Sequence, residues 1–406
     1  MSRISRDNVL AFVLAGGKGR RLFPLTEERT KPSVSFGGKY RIIDFTLSNL
    51  VNSGIYSIYV LVQYKSQSLI EHIRTSWRKF GVLPKHFITV VPPQMRKEAV
   101  GEWYRGTADS INHNINLIHD FKPRFVVVLG GDHVYRMNIK EMIDYHIRKK
   151  AQCTIAVTPA HSSQSYQLGI ADVDSNFRIK KFREKPSFSG KKMIFASMGN
   201  YVFNSDFLVD LLSTKPLSDF GRDVIPYLAK RKDGVFAYDF SKNKIPSLKE
   251  YEAAYYWKDI GTISSYWQAN MDLLGKQPIF DLDNRQWPIY ASDFDCPPVY
   301  TAASRIENTL LSEGARVCGS EIRNSILGRS VTVDEGCFIE DSIIMDFTHV
   351  KKSSKIRKAI IDRFNTIEPK TSIGYNAKSD SRQYHLDPSG IVVVKRGSRD
   401  VSYIGL

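Results

Sequence analysis

The N-terminal part of the sequence contains a glycine-rich segment that is suited to bind phosphate groups. Gly16, Gly17 and Gly19 follow a continuous apolar run over residues 9–14, where a buried strand would end in a loop. Glycine has no Cβ and adopts positive φ without strain, so several backbone N–H groups can converge on phosphate oxygens in such a loop. The chemistry that this segment predicts is phosphate binding.

Two cations accompany the glycines and distinguish the segment from other phosphate-binding loops. Arg21 and Lys31 could neutralise a nucleoside triphosphate, whose roughly three to four negative charges a glycine loop alone would leave unbalanced. A Walker A loop is excluded because Lys18 is followed by Gly19 rather than by Ser or Thr. A Rossmann fingerprint is excluded because Leu22 stands where its third glycine should be. A plain strand-to-helix turn also uses glycines, but it does not require the cations.

Two aspartates lie where a hard divalent cation could be bound. Asp132 follows the apolar run 125–129 through two glycines, at the strand end where ligands of parallel sheets gather. A magnesium ion takes phosphate oxygens together with one or two protein carboxylates, and Asp259 is the natural second ligand. Either aspartate taken alone could instead be a turn residue or a helix cap.

Taken together, these motifs resemble the sugar nucleotidyltransferases, whose signature is Gly-Gly-x-Gly-x-Arg-Leu followed by Lys-Pro. Within that family the chain is most similar to the bacterial glucose-1-phosphate adenylyltransferases, and the similarity covers nearly its whole length. The blocks that carry it are Gly37-Gly-Lys-Tyr-Arg-Ile-Ile-Asp-Phe45, Leu47-Ser-Asn49, Asn52-Ser-Gly-Ile55, Gln63-Tyr64, Trp103-Tyr-Arg-Gly-Thr-Ala-Asp109 and Tyr256-Trp-Lys-Asp-Ile-Gly-Thr262.

The resemblance implies that ATP and α-D-glucose 1-phosphate react to ADP-glucose and pyrophosphate for glycogen synthesis, with Mg²⁺ as cofactor. A sugar-phosphate oxygen attacks the α-phosphorus in line, so the site must hold two polyanions together and needs no covalent nucleophile. The implied catalytic residues are Arg21, Lys31, Asp132 and Lys185, and the implied metal ligands are Asp132 and Asp259. A homotetramer controlled by small anionic effectors is implied as well.

The resemblance also assigns substrate contacts. Lys185 is assigned to the phosphate of glucose 1-phosphate and Glu184 to sugar hydroxyls, which suits a compact cation and a hydrogen-bond acceptor. The same pair could be an exposed ion pair at a sheet edge, which contributes little to stability. Other implied contacts of the sugar phosphate are Tyr104, Gly169 and Ser197. On the nucleotide side the expected residues are Gly16, Gly17, Gly19, Gly106, Thr107, Gln63 and Trp103, and the last two also match positions linked to signalling between the effector and substrate sites.

The region that relatives use for regulation differs in this chain. Members that respond to fructose 1,6-bisphosphate carry a lysine and a histidine where this sequence has Glu28 and Ser35. Arg41 and Arg382 match effector-contacting arginines and are the expected effector residues. We therefore expect an anion pocket between the catalytic part and the C-terminal part of the chain, for a smaller or singly phosphorylated effector such as fructose 6-phosphate, or for a carboxylate such as pyruvate. Both arginines could instead be structural ion pairs.

The elements that must position these residues form two parts. Residues 1–265 alternate apolar runs (58–62, 125–129, 154–157) with helix-like stretches (67–80, 109–119, 139–149), which predicts an α/β doubly wound, mostly parallel sheet. Residues 266–295 are expected to form a helix and a linker.

Residues 296–406 have a different pattern. Ser325-Ile-Leu, Ser342-Ile-Ile and Ala359-Ile-Ile recur with a step of 17 residues, close to three hexapeptides. Such a repeat predicts a parallel β-helix, and the resemblance implies a left-handed one. Three unrelated strands of a sandwich would be the alternative.

Composition limits the remaining alternatives. A net charge of +16 suits anionic ligands, yet the basic residues are scattered and form no recognised nucleic-acid module, so we expect no nucleic-acid partner. No apolar run approaches the ~20 residues of a membrane span, and a cytoplasmic enzyme without a membrane partner is expected. A UTP- or dTTP-dependent transferase and a catalytically weak regulatory subunit stay open as competing functions.

Overall fold

A computed structural model describes residues 8–80, 85–93, 104–187, 193–231, 234–292 and 294–398. The N-terminal region, up to residue 292, consists of strands and helices in alternation. Its strands are β1 (Val9–Leu14), β2 (Ser35–Phe36), β3 (Tyr40–Arg41), β4 (Ser57–Leu61), β5 (Phe87–Val91), β6 (Phe125–Gly130), β7 (His133–Tyr135), β8 (Cys153–His161), β9 (Gly169–Val173), β10 (Ile179–Glu184), β11 (Met193–Asn204), β12 (Val235–Asp239) and β13 (Trp257–Asp259).

Helices cover both faces of the large sheet that most of these strands form. They are α1 (Ile42–Asn52), α2 (Gln67–Ser76), α3 (Thr107–Asn112), α4 (Ile115–Phe121), α5 (Ile139–Arg148), α6 (Ser205–Thr214), α7 (Ile225–Arg231) and α8 (Ile263–Met271), with a π-helical turn at Phe220–Val224 and 3₁₀ turns at Arg20–Leu22, Lys31–Ser33, Arg78–Phe80, Ser162–Gln167 and Phe240–Lys242. Helix α8 crosses the expected boundary at residue 265.

Strand β1 lies at the centre of the sheet and explains why the substrate loops meet. It pairs in parallel with β4 on one side and with β6 on the other, so Leu14, Leu61 and Gly130 end at the same edge. Strand β11 adds antiparallel pairings to β6, β8 and β9. Alternate residues of β1 enter two different cores: Ala11 and Val13 pack on one face, and Leu10 and Phe12 on the other. Two buried faces account for its uninterrupted apolar sequence.

The C-terminal region is the predicted parallel β-helix, from residue 300 onward. Three parallel ladders stack its coils, and Ile326, Ile343 and Ile360 lie in register, as the 17-residue step predicts. Its elements are β14 (Tyr300–Ala302), β15 (Arg305–Glu307), β16 (Leu310–Leu311), β17 (Arg316–Cys318), β18 (Glu321–Arg323), β19 (Ile326–Leu327), β20 (Thr332–Val333), β21 (Phe338–Glu340), β22 (Ile343–Ile344), β23 (His349–Val350), β24 (Lys355–Arg357), β25 (Ala359–Ile361), β26 (Thr366–Ile367), β27 (Ser372–Ile373), α9 (Ala377–Gln383), β28 (His385–Leu386) and β29 (Val392–Val394).

The repeated apolar pairs hold the two regions together. Their second residues, such as Leu327 and Ile344, fill the interior of the β-helix. Their first residues, such as Ile326 and Ile343, pack outward against the N-terminal region in a shared core with Tyr266. Within the described residues, no helix combines the length and the apolarity that a bilayer crossing requires.

Candidate active site

The glycine-rich loop begins directly at the end of β1 and is held there by backbone contacts. The amide of Ala15 donates to the carbonyl of Leu61, and that of Gly131 donates to Leu14, so the ends of β4 and β6 flank the loop. Gly19 has φ of 56°, in the left-handed region, and a Cβ there would lie 3.2 Å from Cβ of Lys31. The conformation and the close approach to the lysine side chain therefore both favour glycine.

A lysine and two aspartates form the centre of the site. Nζ of Lys31 lies 2.7 Å from Oδ1 of Asp259 and 3.0 Å from Oδ2 of Asp132. Burial alone would lower the pKa of Lys31, but the two carboxylates outweigh it and raise this pKa above its ordinary value. Burial likewise opposes ionisation of Asp132, yet the Lys31 ammonium holds its pKa well below the usual range. Lys31 and Asp132 are therefore both charged at neutral pH.

His133 completes this cluster and was missed by the sequence analysis. It pairs with Asp259 across the antiparallel strands β7 and β13, which places both side chains on one face. One donor atom each from Asp132, His133 and Asp259 lie within 4.8 Å of one another. Nδ1 of His133 is buried without a hydrogen-bond partner in the described part of the chain. Two carboxylate oxygens and one imidazole nitrogen form a donor set that suits a divalent cation.

Glu184 and Lys185 lie at the end of β10, and a second group of site residues surrounds them. Nζ of Lys185 lies 3.9 Å from Oε1 of Glu184, and burial, first of all, raises the pKa of the Glu184 carboxyl. Lys185 itself has φ of 49°, a strained conformation for a residue with a side chain. A Cβ on Gly169 would lie 2.8 Å from Oε2 of Glu184, and one on Gly221 would lie 2.6 Å from it. Both glycines thus leave room for this carboxylate.

The segment at the start of α3 is tied to the π-helical turn. Oγ1 of Thr107 donates to Oδ2 of Asp219 at 3.0 Å. A Cβ on Gly106 would collide with the carbonyl of Ser218, so only glycine fits the approach of these two backbones. The side-chain amide of Gln63 donates to the carbonyl of Tyr104 at 3.2 Å. No pattern in the sequence pointed to the contribution of Asp219.

All of these groups open into one cavity of about 890 Å³. The sequence-predicted residues that line it are Gly16, Gly17, Gly19, Arg21, Lys31, Gln63, Tyr104, Gly106, Thr107, Asp132, Gly169, Glu184, Lys185, Ser197 and Asp259. Trp103, the remaining predicted contact, lies outside the described residues. The further lining residues that the sequence analysis missed include His133, Asp219, Gly221, Arg222 and Trp257.

A second cavity, of about 540 Å³, lies between the N-terminal region and the β-helix. Arg41 lines it, as expected, but Arg382 does not: Arg382 is exposed on α9. The β-helix instead contributes Arg329, Arg363 and Arg396. The expected placement of Arg382 was therefore wrong, because α9 is a helix that follows β27 and does not share the 17-residue step of the coils.

The second cavity has an excess of buried positive charge. Burial, followed by repulsion from Arg363, lowers the pKa of Arg41 to about 9, and burial lowers that of Arg363 to about 10. Arg363 is paired with Asp346 at 3.4 Å, whereas among the described residues Nη1 of Arg41 donates only to neutral oxygens of Ser33 and Ser68. Glu28 reaches the cavity from the N-terminal region and lies 3.3 Å from Arg396.

The comparisons with known proteins agree with this architecture. Residues 10–276 match the model of the nucleotidyl transferase family, and residues 300–394 match a GlmU-like C-terminal hexapeptide model. The second match confirms the predicted left-handed form of the β-helix. Fold and site thus define a nucleotidyltransferase that carries a hexapeptide-repeat domain.

Individual relatives show to which family of nucleotidyltransferases the chain belongs. The chain is 47% identical over 399 residues to a glucose-1-phosphate adenylyltransferase of Thermodesulfovibrio yellowstonii, covering 96% of this chain and 97% of that protein. Proteins of the same name from Thermus thermophilus and Geobacter metallireducens are 44% and 43% identical, over 96% and 95% of this chain and 99% and 97% of their own. The chain belongs to the glucose-1-phosphate adenylyltransferase family. Nucleotidyltransferases generally use a divalent metal, and the cluster of Asp132, His133 and Asp259 fits one.

Proposed function

We propose that this chain transfers the adenylyl group of ATP to α-D-glucose 1-phosphate, giving ADP-glucose and pyrophosphate for glycogen synthesis. The observation that carries the proposal is that one cavity is lined both by the glycine-rich loop with Arg21 and Lys31 and by the pair Glu184 and Lys185. Two separate cation-bearing segments suit two phosphate-bearing substrates. Family membership supports the same reaction.

The nucleotide is assigned to the side of the cavity next to β1. The amides of Gly16, Gly17 and Gly19 would bind its phosphates, and Arg21 would hold the departing pyrophosphate. A Cβ on Gly261 would lie 3.0 Å from Nη2 of Arg21, so this glycine leaves room for the guanidinium beside Asp259. Further contacts of the nucleotide are assigned to Gln63, Gly106 and Thr107, and to Trp103.

Glucose 1-phosphate is assigned to the residues around β10. Lys185 would bind its phosphate, and Glu184 would accept hydrogen bonds from sugar hydroxyls, with Gly169 leaving the necessary space. Tyr104 and Ser197 line the same cavity and would complete the sugar contacts. These residues hold the attacking phosphate oxygen in line with the α-phosphorus of ATP.

The cation is proposed to be Mg²⁺, held by Asp132 and Asp259. When bound, it would neutralise charge on the reacting phosphate oxygens. The chain's own contribution is to fix both carboxylates: Asp132 lies at the end of β6, and Asp259 is paired to β7. No side chain has to form a covalent bond to substrate, because the attacking oxygen belongs to glucose 1-phosphate.

The experiment that tests the proposal measures initial rates with ATP, UTP, dTTP and GTP against glucose 1-phosphate, with and without Mg²⁺. We expect turnover with ATP that depends on the metal. Asp132→Asn should lower turnover by about 10² to 10⁴ with little change in substrate binding. Preference for UTP or dTTP would instead make the chain a different sugar nucleotidyltransferase, and absence of turnover with all four would favour a regulatory subunit.

The cavity between the two regions is proposed to bind a small anionic effector. Its support is the cluster of Arg41, Arg363 and Arg396, in which burial, followed by repulsion from Arg363, lowers the pKa of Arg41, and burial lowers the pKa of Arg363. Glu28 already neutralises part of this charge, so a smaller or singly phosphorylated anion such as fructose 6-phosphate, or a carboxylate such as pyruvate, suits the site better than a bisphosphate. Strong activation by fructose 1,6-bisphosphate, abolished by Glu28→Gln, would contradict this.

The assembly and the cellular location are part of the same proposal. A cytoplasmic homotetramer is expected for a bacterial member of this family. Sedimentation equilibrium of the purified chain would measure its mass against the 46.3 kDa of one copy. A mass other than four copies would overturn the tetramer without affecting the proposed reaction.

A further inference from the structure

Lys31 occupies an unusual position for a phosphate-binding lysine. Its ammonium lies between the carboxylates of Asp132 and Asp259, at 3.0 and 2.7 Å, and its side chain is only 7% exposed. The residue begins a 3₁₀ turn, Lys31–Ser33, whose residues are all buried, so its backbone is fixed. The lysine therefore neutralises the same pair of aspartates that we assign to the divalent cation.

Two positive groups cannot share these oxygens without a large mutual repulsion. An ammonium and a divalent cation a few ångströms apart repel strongly at the low effective dielectric of a half-buried site. Without any cation, the two carboxylates would repel each other in turn. Lys31 prevents that outcome, but it must release at least one carboxylate when the metal binds.

We propose that Lys31 is an exchangeable counter-ion of the cation site. It balances the charge of the two aspartates in the free protein, and it is displaced into the cavity when the metal enters with the nucleotide. There its ammonium meets the phosphate oxygens that the nucleotide brings to the glycine-rich loop. Free metal gives the displaced lysine no such partner, so metal and nucleotide bind with positive coupling. The inference rests on the proposed function, because it takes the cation site as given.

The first test is a titration of the full-length protein with Mn²⁺ alone, with free Mn²⁺ counted by electron paramagnetic resonance. Lys31→Gln removes the competing ammonium, and we expect its affinity for Mn²⁺ to exceed that of the parent by about tenfold or more. Lys18→Gln is the matched control. Lys18 lines the same cavity, but its ammonium lies over the ring of Tyr64, at 4.7 Å from the centroid, rather than between carboxylates.

The outcomes separate this inference from the cation site itself. Loss of Mn²⁺ binding when Asp132→Asn and Asp259→Asn are combined supports the site, and unchanged binding would show that the proposed cation site is wrong. If the double variant loses the metal but Lys31→Gln binds it no more tightly than Lys18→Gln, the exchange does not occur and the inference is overturned.

A second measurement needs no substitution and therefore does not depend on how a variant folds. Reductive methylation of the parent protein, followed by mass spectrometry, reports how accessible each ammonium group is. We expect methylation of Lys31 to rise several-fold when Mn²⁺ is added, while methylation of Lys18 stays the same. Unchanged protection of Lys31 at saturating Mn²⁺ would show that the lysine keeps its place beside the metal.

Discussion

Replacement of Asp362 by asparagine should destabilise the junction between the two regions of the molecule. Nη2 of Arg29 lies 2.7 Å from both carboxylate oxygens of Asp362, and each of the two side chains is only 2% exposed. Nε and Nη1 of Arg29 have no hydrogen-bond partner among the described residues. Asp362→Asn therefore leaves a buried guanidinium without its counter-charge.

The expected cost follows from the burial of this pair. Removal of one partner of a buried ion pair costs about 3–5 kcal/mol, because the other charge stays desolvated. Asparagine retains one acceptor oxygen, so we expect the lower end, about 3 kcal/mol. Glu335→Gln is the matched control: its partner Lys352 lies 3.2 Å away, but the two side chains are 69% and 66% exposed. An exposed pair of that kind contributes about 0–1 kcal/mol.

Urea unfolding measures the difference, followed by far-ultraviolet circular dichroism and by tryptophan fluorescence. Two probes are needed because two regions can unfold separately, and then no single free energy of unfolding applies. The double variant Arg29→Met with Asp362→Leu should recover much of the loss, since it leaves no unpaired charge. A loss for Asp362→Asn no larger than that for Glu335→Gln would refute the reasoning.

Other predictions concern the substrate residues and acid stability. Lys185→Ala should raise the KM for glucose 1-phosphate far more than the KM for ATP, because its contact exists in the ground state; initial rates that change only for ATP would contradict the assignment. Gly169→Ala should raise the same KM, since its new Cβ would lie 2.6 Å from Cζ of Phe182 and 2.8 Å from Oε2 of Glu184. Burial lowers the pKa of the His146 imidazole from its ordinary value of 6.5 to about 4 in the folded protein. Between these two pH values the unfolded chain therefore binds more protons at this residue than the folded chain does. Stability should therefore fall by about 3 kcal/mol as pH drops from 6.5 to 4, and unfolding of His146→Gln should lack this dependence.

Periodic apolar runs were the most informative part of the sequence for the fold. The run 9–14 matches β1 residue for residue, and the three pairs that step by 17 residues stack as predicted. The helix predicted over 109–119 is interrupted, since α3 ends at Asn112 and α4 begins at Ile115. Asn114 lies in the break, where its side-chain amide donates to the carbonyl of Ser110. Asparagine competes for backbone groups in this way, which apolar periodicity does not reveal.

The site could be predicted where its residues lie in compact motifs. The glycine-rich loop, Asp132 and the pair Glu184 and Lys185 are local patterns, and they line one cavity. Asp219 comes from a π-helical turn and reaches the cavity only through tertiary contacts with α3, so no local pattern marks it. Arg363 could have been found, because Arg329, Asp346 and Arg363 follow the same 17-residue step as the apolar pairs.

Because of that spacing, charged residues recur along one side of the β-helix once in each coil. Arg329, Asp346 and Arg363 occupy successive coils, so an aspartate separates two arginines along the wall of the second cavity. Deletion of one whole coil, residues 330–346, would preserve the alternation of strands but place the two arginines in neighbouring coils, about 4.8 Å apart along the stack. It would also move Asp362 by one coil away from Arg29. The β-helix itself could gain or lose a coil. Its number of coils is nevertheless fixed, because each charged residue must lie at the height of its partner in the N-terminal region.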